Sequence, residues 1–325
     1  MEASPSTSAL SPVASSALPV HGAGSGWEIA TELDLRTLRD AADGTRLEVM
    51  PNLDAAPGGS VIAEWQPRPG NPFHGRLLED GDRLAFWASD AGWYLVDPEA
   101  GRIGVPSNGR SMTLTAEIRL FGVPSSLVAL HRGDVAVHAA SVEVNHRSVL
   151  FAGPSRHGKT TLAAAFAAAG HRVLTEDMTR CAVAPMPAVY PGPAAMRLRS
   201  DTADVLPDRG GAEVVAEGDR LFVIAAPDAR GDGAAVPLAG IVFLRDGGEM
   251  PVLEEARGAT AVQDLWALTF TLPNTASRAA AFDRLTTMAR TVPVLNLRRE
   301  LRFDTLPRVV ELVEEFVAVT RRADR

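Results

Sequence analysis

One stretch constrains this chain more than any other. The apolar run Ser148-Val-Leu-Phe-Ala152 leads into Gly153-Pro-Ser-Arg-His-Gly-Lys-Thr160, which fits the pattern G-x-x-x-x-G-K-[ST] in full. An Ala-rich run over residues 160–169 follows and stops at Gly170. Strand, tight loop and helix, in that order, aim successive backbone N–H groups and a helix N-terminus at one point, which makes an anion site. Gly153 permits the exit from the strand and Gly158 lets the backbone curl. Pro154, Ser155, Arg156 and His157 fill the loop, the last two either as extra phosphate donors or as solvated side chains. Lys159 is expected to reach the β- and γ-phosphates of a nucleotide, and Thr160 to offer its hydroxyl to Mg²⁺. Thr161 extends the set into the first helical turn. ATP and Mg²⁺ are the expected cofactors.

Lys159 is also the only lysine. Lys and Arg together number 32, and the other 31 are arginine, so one slim ammonium is kept where a guanidinium fork would not do the same work. The rest of the composition mainly excludes. A length of 325 residues suits about two domains. A net charge of −8 with no basic block argues against nucleic acid as a partner. No apolar run approaches the roughly 18–20 residues of a bilayer span, so no membrane is expected either. The single cysteine, Cys181, rules out an internal disulfide and any Cys-based metal cluster, and fits a cytoplasmic location.

Residues 1–26 are mostly Ser, Ala, Pro and Gly without a hydrophobic period and read as a flexible, disordered tail. No basic residue there precedes a sustained apolar stretch, so no secretory signal is expected. Residues 27–130 read as a mixed, β-leaning region, with strands from Arg83 and Gly92 and a turn at Asp97-Pro-Glu-Ala-Gly101. Trp27, Trp65, Trp87 and Trp93 cluster here, chiefly as core. A helix over 115–131, broken at Pro124, closes the region. Residues 131–325 read as an α/β domain with a P-loop core and a mixed sheet. It opens with a hairpin of 135–144 and 148–152, followed by the loop, its helix and a strand over 171–175. Strands over 220–225 and 236–244, helices over 259–270 and 276–289, a strand over 292–297 and a last helix after Asp304 complete it.

Glu176-Asp177 follows the strand after the loop's helix, and ligands of open α/β sheets gather at carboxyl ends of strands. If that strand runs parallel to the one before Gly153, both carboxylates reach the γ-phosphate, one to help hold Mg²⁺ and one to accept the proton of an attacking hydroxyl. A hairpin centred near His146 puts His138 opposite Pro154, at the mouth of the loop. There it either pins the loop, polarises phosphate or orients an acidic neighbour.

The segments His138-Ala-Ala-Ser-Val-Glu-Val, Val149-Leu-Phe-Ala-Gly-Pro-Ser-Arg-His-Gly-Lys-Thr-Thr and Gly170-His-Arg-Val-Leu-Thr-Glu-Asp resemble the catalytic domain of bacterial HPr kinase/phosphorylase. They resemble still more the HPr-kinase-like proteins of lasso-peptide and related biosynthetic pathways. The resemblance is close from His138 to Asp177 and looser through Tyr190-Pro-Gly-Pro to the last helix. It implies a P-loop kinase core of the HPr kinase type. His138, Lys159 and Thr160 then match the family's histidine and loop, Glu176 the base toward an acceptor serine, and Asp177 with Thr160 the metal side. Arg197 and Arg199, after Pro-Gly-Pro, are expected phosphate or substrate contacts, or else surface charges. The chain departs from the family where Glu176 replaces the usual first Asp, and where no basic Gly-rich loop for engaging HPr is present. HPr as acceptor, reverse phosphorolysis and the family hexamer are therefore not carried over, and an oligomer is left open. The expectation is a Mg²⁺-ATP kinase acting on an exposed serine of a peptide or protein. A small-molecule kinase and a nucleotide-binding regulatory module are the alternatives.

Overall fold

The computed structural model describes residues 18–323 apart from 42–43, 53–55, 70–71, 200–210 and 257. Residues 1–17 of the expected tail lie outside the described residues. The remainder of that tail is a correction, because Val20–Gly24 is a strand. Its residues are small because neighbours press on them. A Cβ on Gly24 would lie 2.3 Å from the Phe121 ring, and Ala23 is buried. A composition that looks unstructured is here the composition of close packing.

Eight strands make the first sheet: β1 (Val20–Gly24), β2 (Trp27–Thr31), β3 (Thr45–Pro51), β4 (Ser60–Trp65), β5 (Gly75–Asp80), β6 (Arg83–Ala88), β7 (Gly92–Asp97) and β8 (Arg102–Val105). Their order is β1-β2-β3-β8-β7-β6-β5-β4, with β4 to β8 an antiparallel meander and β2, β3 and β8 parallel. The period-2 pattern sends Leu84 and Phe86 of β6 inward and Trp87 outward, where it meets Trp93 across the strands. Of the four tryptophans, only Trp27 is fully buried, with Trp65 packed against the same core. Two helices follow, α1 (Leu114–Leu120), capped by Thr113, and α2 (Val123–His131). The break falls at Phe121-Gly122, and Pro124 sits in the first turn of α2, where a missing N–H costs nothing.

The second, nine-stranded sheet begins with β9 (Val135–Val144) and β10 (Arg147–Ala152), continues after α3 (Lys159–Ala168) with β11 (Arg172–Thr175), β12 (Met178–Ala182) and β13 (Ala188–Val189). A separate three-stranded sheet of β14 (Ala195–Leu198), β15 (Glu213–Glu217) and β16 (Arg220–Ile224) comes next, then the single turn α4 (Pro227–Arg230). The large sheet resumes with β17 (Val236–Asp246) and β18 (Val252–Glu255). After α5 (Ala259–Leu268) come β19 (Thr269–Phe270), α6 (Thr275–Thr291), β20 (Val294–Arg299) and α7 (Leu306–Ala323). Strands β10, β17 and β20 are parallel neighbours, and β9 runs antiparallel to β10, β11 and β12.

Both faces of this sheet are covered, as its continuous apolar strands require. Val149 and Phe151 face α3 and α7 through Leu162, Phe166, Val309 and Val313. Leu150 and Ala152 face α5 and α6 through Leu265, Leu285 and Met288. The β9–β10 hairpin turns on two residues, Asn145 and His146, both with positive φ. Val144 therefore faces Arg147 rather than Ser148, and the ladder ends at Ala139–Ala152. His138 lies level with Gly153, one residue from its expected partner Pro154.

Candidate functional site

The glycine-rich loop leaves β10 at Gly153 and enters α3 at Lys159. Left-handed backbone at Arg156 (φ 70°) and Gly158 (φ 78°) produces the curl. Gly158 is doubly required, since a Cβ there would also lie 2.7 Å from Nη2 of Arg299. The Lys159 ammonium folds back over the loop, donating to the carbonyls of Gly153 at 2.8 Å and Pro154 at 3.1 Å. Burial lowers its pKa, while Asp177 and Glu176 pull it back up. Pro154, Ser155 and Arg156 are exposed. His157 turns away from the cradle's centre, with Nε2 3.4 Å from Asp246 at the end of β17.

The acidic pair sits in an interruption of one long ladder. β11 pairs with residues 141–143 of β9 and β12 with residues 135–138, so the chain follows β9 on both sides of Glu176-Asp177. The strand that was expected to end at these carboxylates thus resumes beyond them. A chain of hydroxyls fixes the gap. Thr179 donates to the Ala139 carbonyl at 2.7 Å, Thr175 contacts Thr179, and Ser141 contacts Thr175 at 2.9 Å. Because β10 and β11 are both antiparallel to β9, they point the same way and deliver loop and acids to one end of the sheet.

Successive residues of a pleated chain face opposite ways, and the two carboxylates do so here. Glu176 is buried. Its Oε1 has no hydrogen-bond partner. Burial pushes its carboxyl up to about 7, with Arg197 opposing and Asp177 adding to the rise, while the Arg197 backbone N–H and the Thr160 hydroxyl act to lower it. The Asp177 side chain is 45% exposed and meets Nε2 of His138 at 2.9 Å. Burial of Asp177 acts to raise its pKa. The His138 bond and charge, with Arg197 and Arg119, outweigh that and hold the carboxyl well below its ordinary range. Arg197 of β14 bridges the pair, its Nε 4.0 Å from Glu176 and its Nη2 4.0 Å from Asp177.

The arrangement joins Lys159, Thr160, Glu176, Asp177, His138 and Arg197 in one centre. Thr161 is half-buried in the first turn of α3, and Arg199 is exposed just beyond β14. An orphaned buried carboxylate oxygen beside a threonine hydroxyl, next to a loop whose lysine spends its donors on carbonyls, fits a phosphate-bound divalent cation. Among the described residues no group of three or more His, Cys, Asp or Glu converges as a metal cage. A cation here would take its remaining ligands from phosphate and water.

Three arginines of the site's surroundings escaped the sequence reading. Arg299, buried at the end of β20, donates to the His157 carbonyl at 3.3 Å. Its signal was available, since β20 is a parallel strand whose carboxyl end abuts the loop. Arg39, between β2 and β3, is 3% exposed. It donates to the carbonyls of Gly192 at 2.7 Å and Val173 at 2.8 Å, and to that of Arg230. Arg119 of α1 pairs with Asp90 at 2.7 Å, and its charge reaches Asp177. Nothing local in the sequence marks either of these two.

Neither a protein-family model nor a curated protein matches this chain in sequence. Among solved structures the chain is similar to the Hpr(Ser) kinase/phosphatase from Coxiella burnetii, at 13% identity and a TM-score of 0.31, over 58% of this chain and 97% of that one. No described helix is long and apolar enough to cross a membrane.

Proposed function

We propose that this chain is a Mg²⁺-ATP-dependent kinase that transfers the γ-phosphoryl group to a hydroxyl, a serine on an extended segment of a peptide or protein. One observation carries the reading: a half-exposed, histidine-held carboxylate stands beside a phosphate loop and a buried, partly unpartnered second carboxylate. Binding a nucleotide needs the loop, whereas a base open to solvent serves only an incoming acceptor.

The sequence assigned Glu176 as base and Asp177 to the metal. The geometry supports the exchange of these roles. Glu176 is buried and feels the hydroxyl of Thr160, the residue expected to meet Mg²⁺. Asp177 is the carboxylate an acceptor can touch, and His138 orients it. Bound Mg²⁺ would neutralise phosphate charge, held by Thr160 and Glu176. Lys159 would leave its loop carbonyls for the phosphates. Arg197 would offset negative charge between donor and acceptor. The acceptor oxygen bonds to the γ-phosphorus as the bond to the β-phosphate oxygen breaks, its proton passes to Asp177, and ADP leaves.

Two variants test the division. Asp177→Asn should bind Mg²⁺-ATP in titration calorimetry at about the parental affinity yet lose transfer by roughly 100-fold or more. Glu176→Gln should weaken the Mg²⁺ dependence of binding itself. The reverse pattern restores the base to Glu176, and equally mild effects in both would sink the kinase reading. Mass spectrometry of serine peptides incubated with enzyme, Mg²⁺ and ATP tests the acceptor class. Phosphorylation of free small molecules alone, or of HPr alone, overturns it.

A further inference from the structure

We propose that Arg199 and Arg220, beside Arg197, form a second anion site on the acceptor side of the carboxylate pair, which takes a carboxylate or phosphate borne by the acceptor near its hydroxyl. The proposal rests on phosphoryl transfer only in naming the acceptor as the ligand. Strands β14 and β16 pair antiparallel, with Arg197 opposite Phe222 and Leu198 opposite Leu221. Continued one residue past the end of β14, that register would set Arg199 across from Arg220. Facing residues share a face, as do residues two apart, so three guanidiniums stand on one face of the small sheet.

That sheet is fixed relative to the phosphate loop. Its other face, Leu198 and Val223, packs on Ala164 of α3, the helix that begins at Lys159. Further along the arginine face, Ala195, Phe222 and Ile224 pack on Leu114 of α1. Glu217 clamps the contact by accepting from the backbone N–H groups of Leu114 and Thr115, both at 3.0 Å.

Carboxylates already stand among these arginines, with Glu176 and Asp177 beside Arg197, Asp219 beside Arg220, and Glu217 opposite Arg220 on β15. Arg197 already serves Glu176 and Asp177. Arg220 is 25% exposed and has Asp219 at 3.5 Å, a side chain 84% in solvent that an incoming anion can displace. Burial, then the like charges of Arg197 and Arg199, lower the pKa of Arg220 against the opposing pull of Asp219 and Glu176, so a bound anion would offset repulsion that these carboxylates only partly cancel. In a chain with a net charge of −8, three clustered cations next to the acceptor's approach favour a carboxylate or phosphate, which the guanidinium fork matches in geometry.

The test uses the full chain and three fluorescein-labelled serine nonapeptides, one with Asp and Glu flanking the serine, one with Asn and Gln, and one with phosphoserine in place of Asp. Anisotropy at low ionic strength should show the acidic or the phosphorylated peptide binding about tenfold tighter than the neutral one. Arg199→Gln with Arg220→Gln should remove the difference, with thermal melts checking the fold. Should the double variant misfold, the exposed Arg199→Gln alone should cut the preference about threefold. Lys159→Ala should leave the preference intact. Equal binding of all three peptides, or a preference unchanged in the arginine variants, overturns the site. Retained anionic preference with no transfer from ATP would instead sink the kinase reading and leave this site standing.

Discussion

Among the described residues each half of the molecule buries one glutamate, and the two are treated in opposite ways. In the N-terminal half Glu117 of α1 is 1% exposed, and every demand of its carboxylate is met: it accepts from the N–H of Arg36 at 3.0 Å, the N–H of Thr37 at 2.7 Å and the hydroxyl of Thr37 at 2.6 Å. In the C-terminal half Glu176 is 7% exposed, and one oxygen has no hydrogen bond, only the Arg197 guanidinium at 4.0 Å. Burial raises the pKa of both. Burial and a raised pKa therefore do not separate a structural acid from one in the proposed centre. The unmet hydrogen-bonding capacity does, together with the phosphate loop beside it.

The largest effect that would sharpen the contrast belongs to the loop. Lys159→Ala should reduce turnover by roughly 1,000-fold or more with little change in melting temperature, since the ammonium's hydrogen bonds are to two loop carbonyls. Lys159→Arg should not rescue it, because a planar fork does not replace a point charge in so tight a curl. Near-parental transfer of labelled phosphate by either variant would remove Lys159 from the centre.

The next effect is on stability and depends on pH. The Glu176 carboxyl is raised from an ordinary 4.5 to about 7. Its protonated form contributes stability that is complete below about pH 4.5 and lost as pH rises through about 7. Without nucleotide or Mg²⁺, Glu176→Gln should therefore be more stable than the parent by about 3 kcal/mol at pH 8, with the difference vanishing near pH 4.5. Denaturant melts at the two pH values check this, and a variant less stable than the parent at pH 8 would contradict it.

Glu117→Gln should go the other way, costing about 2 kcal/mol, because an amide NH₂ replaces an acceptor that faces three donors. If it stabilises as Glu176→Gln does, the distinction between the two acids collapses. The smallest change marks the baseline. Arg110 and Asp34 form an ion pair more than half exposed on both sides, so Arg110→Gln should alter stability by no more than about 0.5 kcal/mol in the same melts.

The two halves also differ in how far their sequence could be read. In the C-terminal half the signals are local. The Gly153–Thr160 pattern, the Gly170 stop and the alternation of Val149 and Phe151 against Leu150 and Ala152 each act within one element. The hairpin was readable to within one residue. What displaced it was the turn, where Asn145 and His146 both adopt positive φ without the glycine that usually signals such a turn. In the N-terminal half the β-leaning character was legible, as were β6, β7 and the turn that follows them. Val20–Gly24 was not, because its small residues make sense only once Phe121 is seen lying on Gly24.

By itself, then, the sequence determined the glycine-rich loop, its flanking strand and helix, and the presence of two adjacent carboxylates a short way downstream. Those features depend on φ preferences, caps and hydrophobic period, which act over a few residues. Only the tertiary structure decided that Glu176 turns to Thr160 and Asp177 to His138, and that Arg197 spans both. It alone brought Arg39 from the N-terminal half onto the strand leading into the acidic pair. These side chains are drawn in by backbone carbonyls and charges distant in sequence. A buried guanidinium or carboxylate takes the partners that packing brings within reach, and no local pattern encodes which those will be.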